Sequence, residues 1–460
     1  MPDMPEIPES LDNYPEEYTY PDPTLSVWQS AAETVSRQTS RALFTFADGA
    51  KSLKRRLNSP VHVVKRATDR LHEKVAPYGK DLENHLAYEA GLPFLDVGLA
   101  AGECAAKATQ FLWAEMTKNK AKAHDIAQSL HKSVCDVPGW SECVSQYLKF
   151  KAHGGEFPYR SGLGTTRGLK DEDRIAIIGD WGTGEEEAVH VLNEIKRVGA
   201  DVIMHLGDIY YAGTDQENRH NFLQICRGVL GADTPLYSLC GNHDMYSGGS
   251  GYYWLLDEIG QRTSFFSLQN DNWLFLAMDT GNQDHKPLTA LNSMTGVYDS
   301  EVKWHLDQID SRRSKKIILL SHHQLFSAFS SVGRVEGRKY AYNPNLSSAF
   351  SGVLDRVTAW FWGHEHNLAI YKPYMKLERG RCLGCSAIPV FGVQKPYAID
   401  TSLLTSEPSL PEIKPFKISR TSGFYNHAFC IVNLDHRDAL VQYFEVPWGG
   451  PASVLYEERI

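Results

Sequence analysis

The sequence predicts an α/β domain preceded by an all-helical region, and three observations support this. After residue 173, short apolar runs alternate with helical stretches, whereas residues 24–155 show only helical spacing. The apolar runs end in Gly, Asp, Asn or His, as in "RIAIIGD" and "KKIILLSHH". A Gly-rich join lies between the two regions. A chain of 460 residues is long enough for one large domain and a smaller one.

Three segments precede the predicted α/β domain at residues 173–460. Residues 1–23 hold seven acids and no Lys or Arg, which predicts a disordered acidic leader. Residues 24–155 are rich in Ala, Leu, Lys and Glu at spacings of three and four, which predicts four or five helices. Residues 156–172 are interpreted as a Gly-rich linker.

A basic cluster lies within the predicted helical region. We interpret it as a solvated face or as a dock for the acidic leader. Binding to an anionic membrane surface or an acidic partner is the alternative. Its members are Lys51, Lys54, Arg55, Arg56, Lys65, Arg66, Arg70 and Lys74.

The overall composition restricts the class of protein. Hydrophobic residues make up 42% and charged residues 22%, which is typical of a globular protein with a sizeable core. The net charge of -9 argues against general nucleic-acid binding, and leaves open a local basic patch that acts alone. Scattered cysteines without a signal peptide or membrane span predict reduced thiols and a cytoplasmic location, and leave secretion by a signal-independent route open. The pair Cys382 and Cys385 is interpreted as structural rather than zinc-binding or redox-active.

Each apolar run of the α/β region reads as a buried strand that ends in polar residues. Ligand sites in such sheets lie beyond the carboxyl ends of the strands, so this pattern alone predicts a site there. The runs, in chain order, are "RIAIIGD", "ADVIMHLGD", "TPLYSLCGNHD", "WLFLAMD", "KKIILLSHH" and "VTAWFWGHEH".

The residues at these strand ends are typical metal ligands. Carboxylate, amide oxygen and imidazole suit zinc, manganese and iron, and the absence of a thiolate from the set disfavours a structural zinc site. Histidines at i and i+2 can hold two adjacent ions, and an aspartate can bridge ions about 3.5 to 4 Å apart. The candidates are Asp180, Asp208, Asn242, His243, Asp244, His322, His323, His364 and His366.

The order of these motifs resembles that of the calcineurin-like metallophosphoesterases: D-x-[HG], G-D-x-x, G-N-H-[DE], a His-bearing strand end, then G-H-x-H. The resemblance covers about residues 173–445 and implies a catalytic domain built as a four-layer α/β/β/α sandwich around a dinuclear metal centre. Gly182 stands where most members have a histidine. "GDWG" with "GDIYY" is instead similar to the purple acid phosphatase branch, D-x-G followed by G-D-x-x-Y. This implies that Tyr211 is a phenolate ligand to Fe(III) and that Tyr210 is a packing residue.

The resemblance also implies how the ligands divide between two metal ions, Fe(III) and a second ion that is Fe, Zn or Mn. The bridging carboxylate would be that of Asp208. The first ion would be held by Asp180, Asp208, Tyr211 and His366, and the second by Asp208, Asn242, His322 and His364.

Further residues are expected to act on the substrate. His243 would give a proton to the leaving oxygen, and Asp244 would orient His243 through a hydrogen bond. His323 is interpreted as facing the substrate or as a neighbour behind the ligands. Arg334 and Arg338, in the long segment after His322, are candidates for binding phosphate, or belong to an ordinary surface loop.

The predicted function is hydrolysis of a small phosphomonoester by a metal-bound hydroxide. Two alternatives stay open. One is a phosphodiesterase that acts on cyclic nucleotides, lipid head groups or nucleic acid, because the same centre serves all of these. The other is a membrane- or partner-binding protein with a secondary phosphoesterase domain.

Overall fold

The chain divides into two compact units, Met1–Lys149 and Phe150–Ile460. In the computed structural model the described residues are 150, 157–160, 164–210, 212–284, 294–335, 338–390, 395–421 and 424–460. The predicted acidic leader, the basic cluster and, apart from Phe150, the predicted helical region lie outside these residues. The fold below is that of the second unit.

Two mixed β-sheets form the centre of this unit. The larger sheet contains, from edge to edge, β1 (Thr165–Gly168), β5 (Phe266–Gln269), β6 (Trp273–Ala277), β7 (Lys316–Ser321), β10 (Val357–Trp362), β12 (Gly380–Leu383) and β11 (Leu368–Ile370). The smaller sheet contains β17 (Ser453–Arg459), β16 (Asp438–Val446), β15 (His427–Asp435), β2 (Arg174–Ile178), β3 (Val202–His205) and β4 (Leu236–Ser238). Two short ribbons pair β8 (Gly333–Val335) with β9 (Arg338–Tyr340), and β13 (Arg420–Thr421) with β14 (Phe424–Tyr425).

Parallel pairing places several strand ends at a common edge. In the smaller sheet β2, β3 and β4 run parallel, and in the larger sheet β6, β7, β10 and β12 run parallel. The loops that follow parallel strands lie at the carboxyl edge of their sheet. The polar residues that end the apolar runs of the sequence therefore gather at these edges.

Helices connect many of the strands. None of the described helices has the length and apolarity that crossing a bilayer requires. The α-helices are α1 (Glu186–Val198), α2 (Asp215–Glu217), α3 (Ile225–Leu230), α4 (Ser250–Glu258), α5 (Asp299–Ser311) and α6 (Pro344–Phe350), with a π-helix (Asn218–Gln224) and 3₁₀ turns at His243–Met245, Asn282–Asp284 and Leu354–Arg356.

The two sheets pack face to face, as the alternation of side chains along β2 shows. Ile177 belongs to the apolar cluster that contains the strands of the larger sheet. Its neighbour Ile178 points the other way and packs with α1. On the outer face of the larger sheet, Trp360 of β10 contacts Phe350 of α6, with ring centroids 5.8 Å apart. Helices therefore cover both outer faces, and the predicted four-layer sandwich is confirmed.

The folded unit begins earlier than the predicted boundary at residue 173. Strand β1 pairs in parallel with β5, although it lies in the predicted linker 156–172. Upstream of it, the Tyr159 hydroxyl donates to the Glu301 carboxylate at 3.0 Å. A Cβ at Gly164 would lie 2.7 Å from the Trp304 ring, so this glycine permits close packing. The glycines that suggested a linker thus belong partly to the sandwich.

Cys382 lies on β12, Cys385 follows this strand, and both side chains are buried. Burial raises the pKa of both thiols, which disfavours the thiolate that metal binding needs. The Cys382 thiol contacts the backbone carbonyl of Glu365 at 3.4 Å. These contacts agree with a structural role for the pair.

A buried ion pair joins the two sheets. Arg381 on β12 donates from Nε and Nη2 to the two carboxylate oxygens of Glu458 on β17, at 2.7 Å each. Only 2% of the Arg381 side chain is exposed. Although burial alone would raise the pKa of Glu458, the guanidinium lowers it. Removal of one partner would leave the other charge buried without compensation.

We predict that Arg381→Met lowers the free energy of unfolding by about 3 kcal/mol, measured by urea denaturation near pH 7. Because the pair lowers the pKa of Glu458, its stabilisation is present above the ordinary value of 4.5 and is lost as the pH falls below it. Lys372→Met is the control, since Lys372 pairs with Glu412 at the surface, and it should change little. Equal effects of the two substitutions would contradict the prediction.

Candidate metal centre

Five predicted ligands meet where the two sheets present their carboxyl edges. Asp180 follows β2, Asp208 follows β3, and Asn242 follows β4. From the larger sheet, His322 directly follows β7 and His364 follows β10. The site therefore draws on both sheets.

Three of these residues have unusual backbone conformations. Asp180, Asp208 and His364 adopt φ values of 54°, 71° and 66°. Residues other than glycine seldom adopt this left-handed region, and each costs on the order of 1 kcal/mol or more. The strain turns the side chains towards one point, as is common at functional sites.

Two glycines allow the loops to approach this point. A Cβ at Gly241 would overlap the Oδ1 of Asp208, and a Cβ at Gly363 would lie 2.6 Å from the Oδ2 of Asp180. Any side chain at either position would push a carboxylate out of place.

Four ligand atoms form one group at the second-metal position. Asn242 Oδ1 lies 3.1 Å from His322 Nε2 and 3.0 Å from His364 Nδ1. The two histidine nitrogens are 3.2 Å apart, and His322 Nε2 lies 3.4 Å from the Oδ2 of Asp208. These are the residues predicted to hold the second ion.

Hydrogen bonds outside the group fix which atoms face inward. The Nδ1 of His322 donates to the Leu206 carbonyl at 2.9 Å, which leaves Nε2 as a lone-pair donor in the neutral ring. The Nδ2 of Asn242 donates to the Tyr246 hydroxyl at 2.6 Å, which turns Oδ1 inward. Lone pairs of a carboxylate, an amide and an imidazole therefore point at one another. Such an arrangement fits a cation, which all of them can coordinate.

The charge balance of the cluster also favours a cation. Burial alone would lower the pKa of His322, but the charge of Asp208 outweighs burial and raises it to about 9. Burial likewise opposes ionisation of Asp208, yet His322 and His243 hold the pKa of this carboxyl well below its usual range. The site thus maintains a buried negative charge that draws in a proton or a metal ion.

A second group of atoms forms at the first-metal position. His366 Nε2 lies 3.4 Å from the Oδ1 of Asp180. The Tyr210 hydroxyl donates to the Oδ1 of Asp180 at 2.9 Å and to the Oδ2 of Asp208 at 3.3 Å. Tyr210 is also fully buried against the His243 ring, as expected of a packing residue, and its hydroxyl adds these two hydrogen bonds. Tyr211, the predicted phenolate ligand, lies outside the described residues.

Asp244 does not orient His243, contrary to the expectation. Its carboxylate accepts hydrogen bonds from the backbone amides of Gly241 at 2.7 Å, Asp208 at 3.0 Å and Ile209 at 3.1 Å. Burial and the nearby charge of Asp208 raise the pKa of Asp244 to about 8. Its role is to hold together the loops that carry Asp208 and Asn242.

His243 is buried beside the Asp208 carboxylate. Its backbone amide donates to the Oδ1 of Asp208 at 3.0 Å, and its Nε2 lies 4.0 Å from the Oδ2. Its ring lies between those of Tyr210 and Tyr246, with centroids 4.7 and 4.6 Å away. His243 is therefore adjacent to the site without belonging to either group of ligand atoms above.

The predicted substrate residues have different surroundings. His323 Nε2 donates to the Asp284 carboxylate at 3.0 Å, and its Nδ1 contacts the Thr280 hydroxyl at 3.0 Å. These contacts favour the interpretation of His323 as a neighbour behind the ligands. Arg338 is exposed on β9. Arg334 lies on β8, opposite Lys339, and its role remains a prediction.

Sequence reasoning missed several residues that support the ligands. Tyr246 lies four positions after Asn242 in "GNHDMY", and that spacing was a usable clue. Glu365, between His364 and His366, accepts hydrogen bonds from the Ser327 and Ser330 hydroxyls, and burial raises its pKa to about 7. The partners of Glu365 are distant in sequence, so no spacing could have revealed them.

The carboxylate and histidine side chains are close enough together to hold a metal ion, even without the other predicted ligands. Among the described residues, two triads place their ligand atoms within 4.8 Å of one another. The triads are Asp180, Asp208 and His322, and His322, His323 and His364. A sandwich with such a centre at its carboxyl edges defines a metal-dependent hydrolase.

Comparisons with known proteins agree with this class. The family model described as calcineurin-like phosphoesterase matches residues 173–368. Tartrate-resistant acid phosphatase type 5 of Rattus norvegicus is 24% identical over 238 residues, which cover 45% of this chain and 69% of that protein. The same enzyme of Sus scrofa is 23% identical over 240 residues, which cover 45% and 66%.

A solved structure, that of purple acid phosphatase PPD1 from yellow lupin seeds, is similar to this chain with a TM-score of 0.42 and 16% identity. The match covers 66% of this chain and 55% of the lupin chain. The chain thus spans little more than half of that structure. Residues 173–368 thus match the calcineurin-like phosphoesterase family, with similarity to the acid phosphatases above, and this match together with the ligand cluster supports a metal-dependent phosphoesterase.

We predict that Asp208→Asn lowers the affinity for metal at least about tenfold, because it removes the charge that both ligand groups share. Metal analysis after dialysis against matched metal buffers measures this affinity. Asp307→Asn, an exposed change on α5, is the control and should bind as the parent protein does. Unchanged metal content in Asp208→Asn would contradict the bridging role.

Proposed function

We propose that the protein hydrolyses phosphomonoesters at a dinuclear metal centre. The observation that carries the proposal is that two groups of ligand atoms share one carboxylate, Asp208. A shared carboxylate is what a pair of ions about 3.5 to 4 Å apart requires.

The residues of each group fit the predicted division of ligands. Asp180, Asp208 and His366 would hold the first ion, together with a tyrosine. Asp208, Asn242, His322 and His364 would hold the second. When bound, the two ions would supply Lewis acidity towards the phosphate oxygens and lower the pKa of a water molecule. A carboxylate-rich first site favours Fe(III), and the imidazole-rich second site suits Fe, Zn or Mn.

His243 is the proposed proton donor to the leaving oxygen. Its Nε2 lies 4.0 Å from the Oδ2 of Asp208, so a proton there would be close to a phosphate bound by the two ions that share this carboxylate. Tyr210 and Tyr246 flank the ring and fix its plane. Burial of the ring excludes water as a competing donor.

The choice of monoesters is supported by the relatives. The matched curated proteins are named acid phosphatases, and the similarity extends over 238 residues. The expected partner is therefore a small phosphorylated substrate.

We predict that His243→Ala reduces turnover of an alkyl phosphate by about 100-fold or more and that of an aryl phosphate much less. A phenolate leaves without a proton, whereas an alkoxide does not. The measurement is kcat for the two substrates at saturating concentration. His220→Ala, an exposed change in the π-helix, is the control. Equal losses for both substrates would contradict the assignment of His243 as the acid.

The proposal itself is tested with 4-nitrophenyl phosphate and bis(4-nitrophenyl) phosphate. We expect the monoester to have the larger kcat/KM by about tenfold or more, and Asp208→Asn to abolish both activities. A larger value for the diester would replace the proposed activity with that of a phosphodiesterase. Activity that survives Asp208→Asn would contradict a reaction that depends on the shared Asp208 carboxylate.

A further inference from the structure

We propose that a short segment upstream of β1 positions the loop that carries Asn242 and His243, with Tyr159 and Arg160 as its positioning residues. We call residues 157–160 the strap and residues 241–249 the site loop. The strap acts on the metal centre only through the elements that it touches. The inference rests on the proposed function, because the site loop supplies Asn242 to the second-metal position.

The site loop has little regular structure to fix its own conformation. It contains one 3₁₀ turn, His243–Met245, and then two consecutive glycines, Gly248 and Gly249, at φ values of 106° and 77°. Glycine loses more conformational freedom on folding than any other residue, so such a segment depends on contacts from outside for its order. The loop also orients a ligand, since the Tyr246 hydroxyl accepts the hydrogen bond that turns the Oδ1 of Asn242 inward.

The strap packs against the two glycines of the site loop. A Cβ at Gly249 would lie 3.5 Å from the Cδ of Pro158, and a Cβ at Gly248 would lie 2.5 Å from the ring of Phe150. The Phe150 ring packs in turn on that of Phe157, with centroids 4.5 Å apart. Phe157 also packs against the buried cluster that the site loop forms with α4. The strap therefore supports the part of the loop that has the least order of its own.

Arg160 anchors the strap to α4, which directly follows the site loop. Its Nη1 and Nη2 donate to the two carboxylate oxygens of Asp257 at 2.7 and 2.8 Å. The Nη1 also donates to the Arg262 carbonyl at 3.1 Å, and the guanidinium lies 5.2 Å from the centre of the Tyr253 ring. Two parallel hydrogen bonds fix the orientation of both partners. Arg160 thus holds the strap on the helix beside the site loop.

Tyr159 and Pro158 anchor the strap to the turn at residues 279–282, which follows β6. The Tyr159 hydroxyl donates to one carboxylate oxygen of Glu301 at 3.0 Å. The other oxygen of Glu301 accepts from the Asp279 amide at 2.9 Å. At the far end of the turn, the Nδ2 of Asn282 donates to the Pro158 carbonyl at 3.1 Å. The strap is thereby linked to both ends of this turn.

The same turn lies directly against the start of the site loop. A Cβ at Gly281 would lie 2.4 Å from the carbonyl oxygen of Gly241, so only a glycine at residue 281 permits this contact. The site loop is therefore in contact with the strap, the turn and α4. Without the anchors of the strap, Asn242 would be held less firmly beside His322, whose Nε2 lies 3.1 Å from its Oδ1.

The experiment measures the zinc affinity of the full chain for the parent protein, Arg160→Ala and a matched control. Arg356→Ala is the control, because Arg356 and its partner Asp310 are 31% and 59% exposed, against 36% and 63% for Arg160 and Asp257. Arg356 directly precedes β10, at the end of this strand opposite His364. Dialysis against buffers of graded free zinc gives the stepwise dissociation constants. Urea denaturation of the metal-free proteins gives their stability.

We expect Arg160→Ala and Arg356→Ala to lower the stability of the metal-free protein by similar small amounts. Only Arg160→Ala should raise one zinc dissociation constant, by about tenfold. In a Tyr246→Phe background, which already lacks the hydrogen bond that orients Asn242, Arg160→Ala should add at most about a further twofold. Such a cycle separates positioning of Asn242 from a general loss of stability.

Two results would overturn the proposal. One is a zinc affinity of Arg160→Ala equal to that of the control, and the other is full addition of the losses in the double variant. In both cases, zinc binding and phosphomonoester turnover by the parent protein show that the proposed function stands, whereas a parent protein that binds no zinc would overturn both. Should Arg160→Ala fail to fold, Tyr159→Phe, which removes the hydrogen bond to Glu301, is judged by the same criteria.

Discussion

The site depends on the burial of one carboxylate that cannot remain without positive charge nearby. Asp208 is fully buried, and its contacts within the described residues include no Lys or Arg. Burying a carboxylate costs several kcal/mol or more unless positive charge offsets it, so a metal ion beside Asp208 would stabilise the folded chain as well as serving the reaction. The amides held by Asp244 and the positive φ of Asp208 fix the carboxylate in this position. The two groups of ligand atoms lie on either side of this carboxylate.

The sandwich explains how ligands from distant parts of the sequence reach this carboxylate. Asp180 and His364 come from different sheets, yet the His364 amide donates to the Oδ2 of Asp180 at 2.8 Å. Close packing of the two apolar faces fixes the relative position of the sheets. The Arg381–Glu458 pair adds a polar tie between them. Rigid strands thus set the distances at the site, and short loops set the directions of its side chains.

Much of the fold and of the candidate metal centre could be predicted from the sequence, because each predicted ligand follows a recognisable buried strand. To predict that Asp208 and His322 lie at strand ends of the site required only the pattern of the apolar runs and the rule that ligands bind at the carboxyl ends of parallel strands. Other features depend on geometry that spacing does not reveal. The contacts of the Tyr210 hydroxyl with Asp180 and Asp208 depend on how the chain turns after Asp208, and a shift of one residue reverses the direction of a side chain. The Asp244 carboxylate accepts its hydrogen bonds from backbone amides, and a sequence pattern cannot reveal such contacts.

The central claim is that two metal ions lie on either side of the Asp208 carboxylate. Anomalous X-ray scattering from crystals of the metal-loaded protein, collected at the absorption edges of iron, zinc and manganese, tests it most directly. The account predicts two peaks about 3.5 to 4 Å apart, one beside His366 and the other beside His322. A single peak, or peaks away from Asp208, would contradict it.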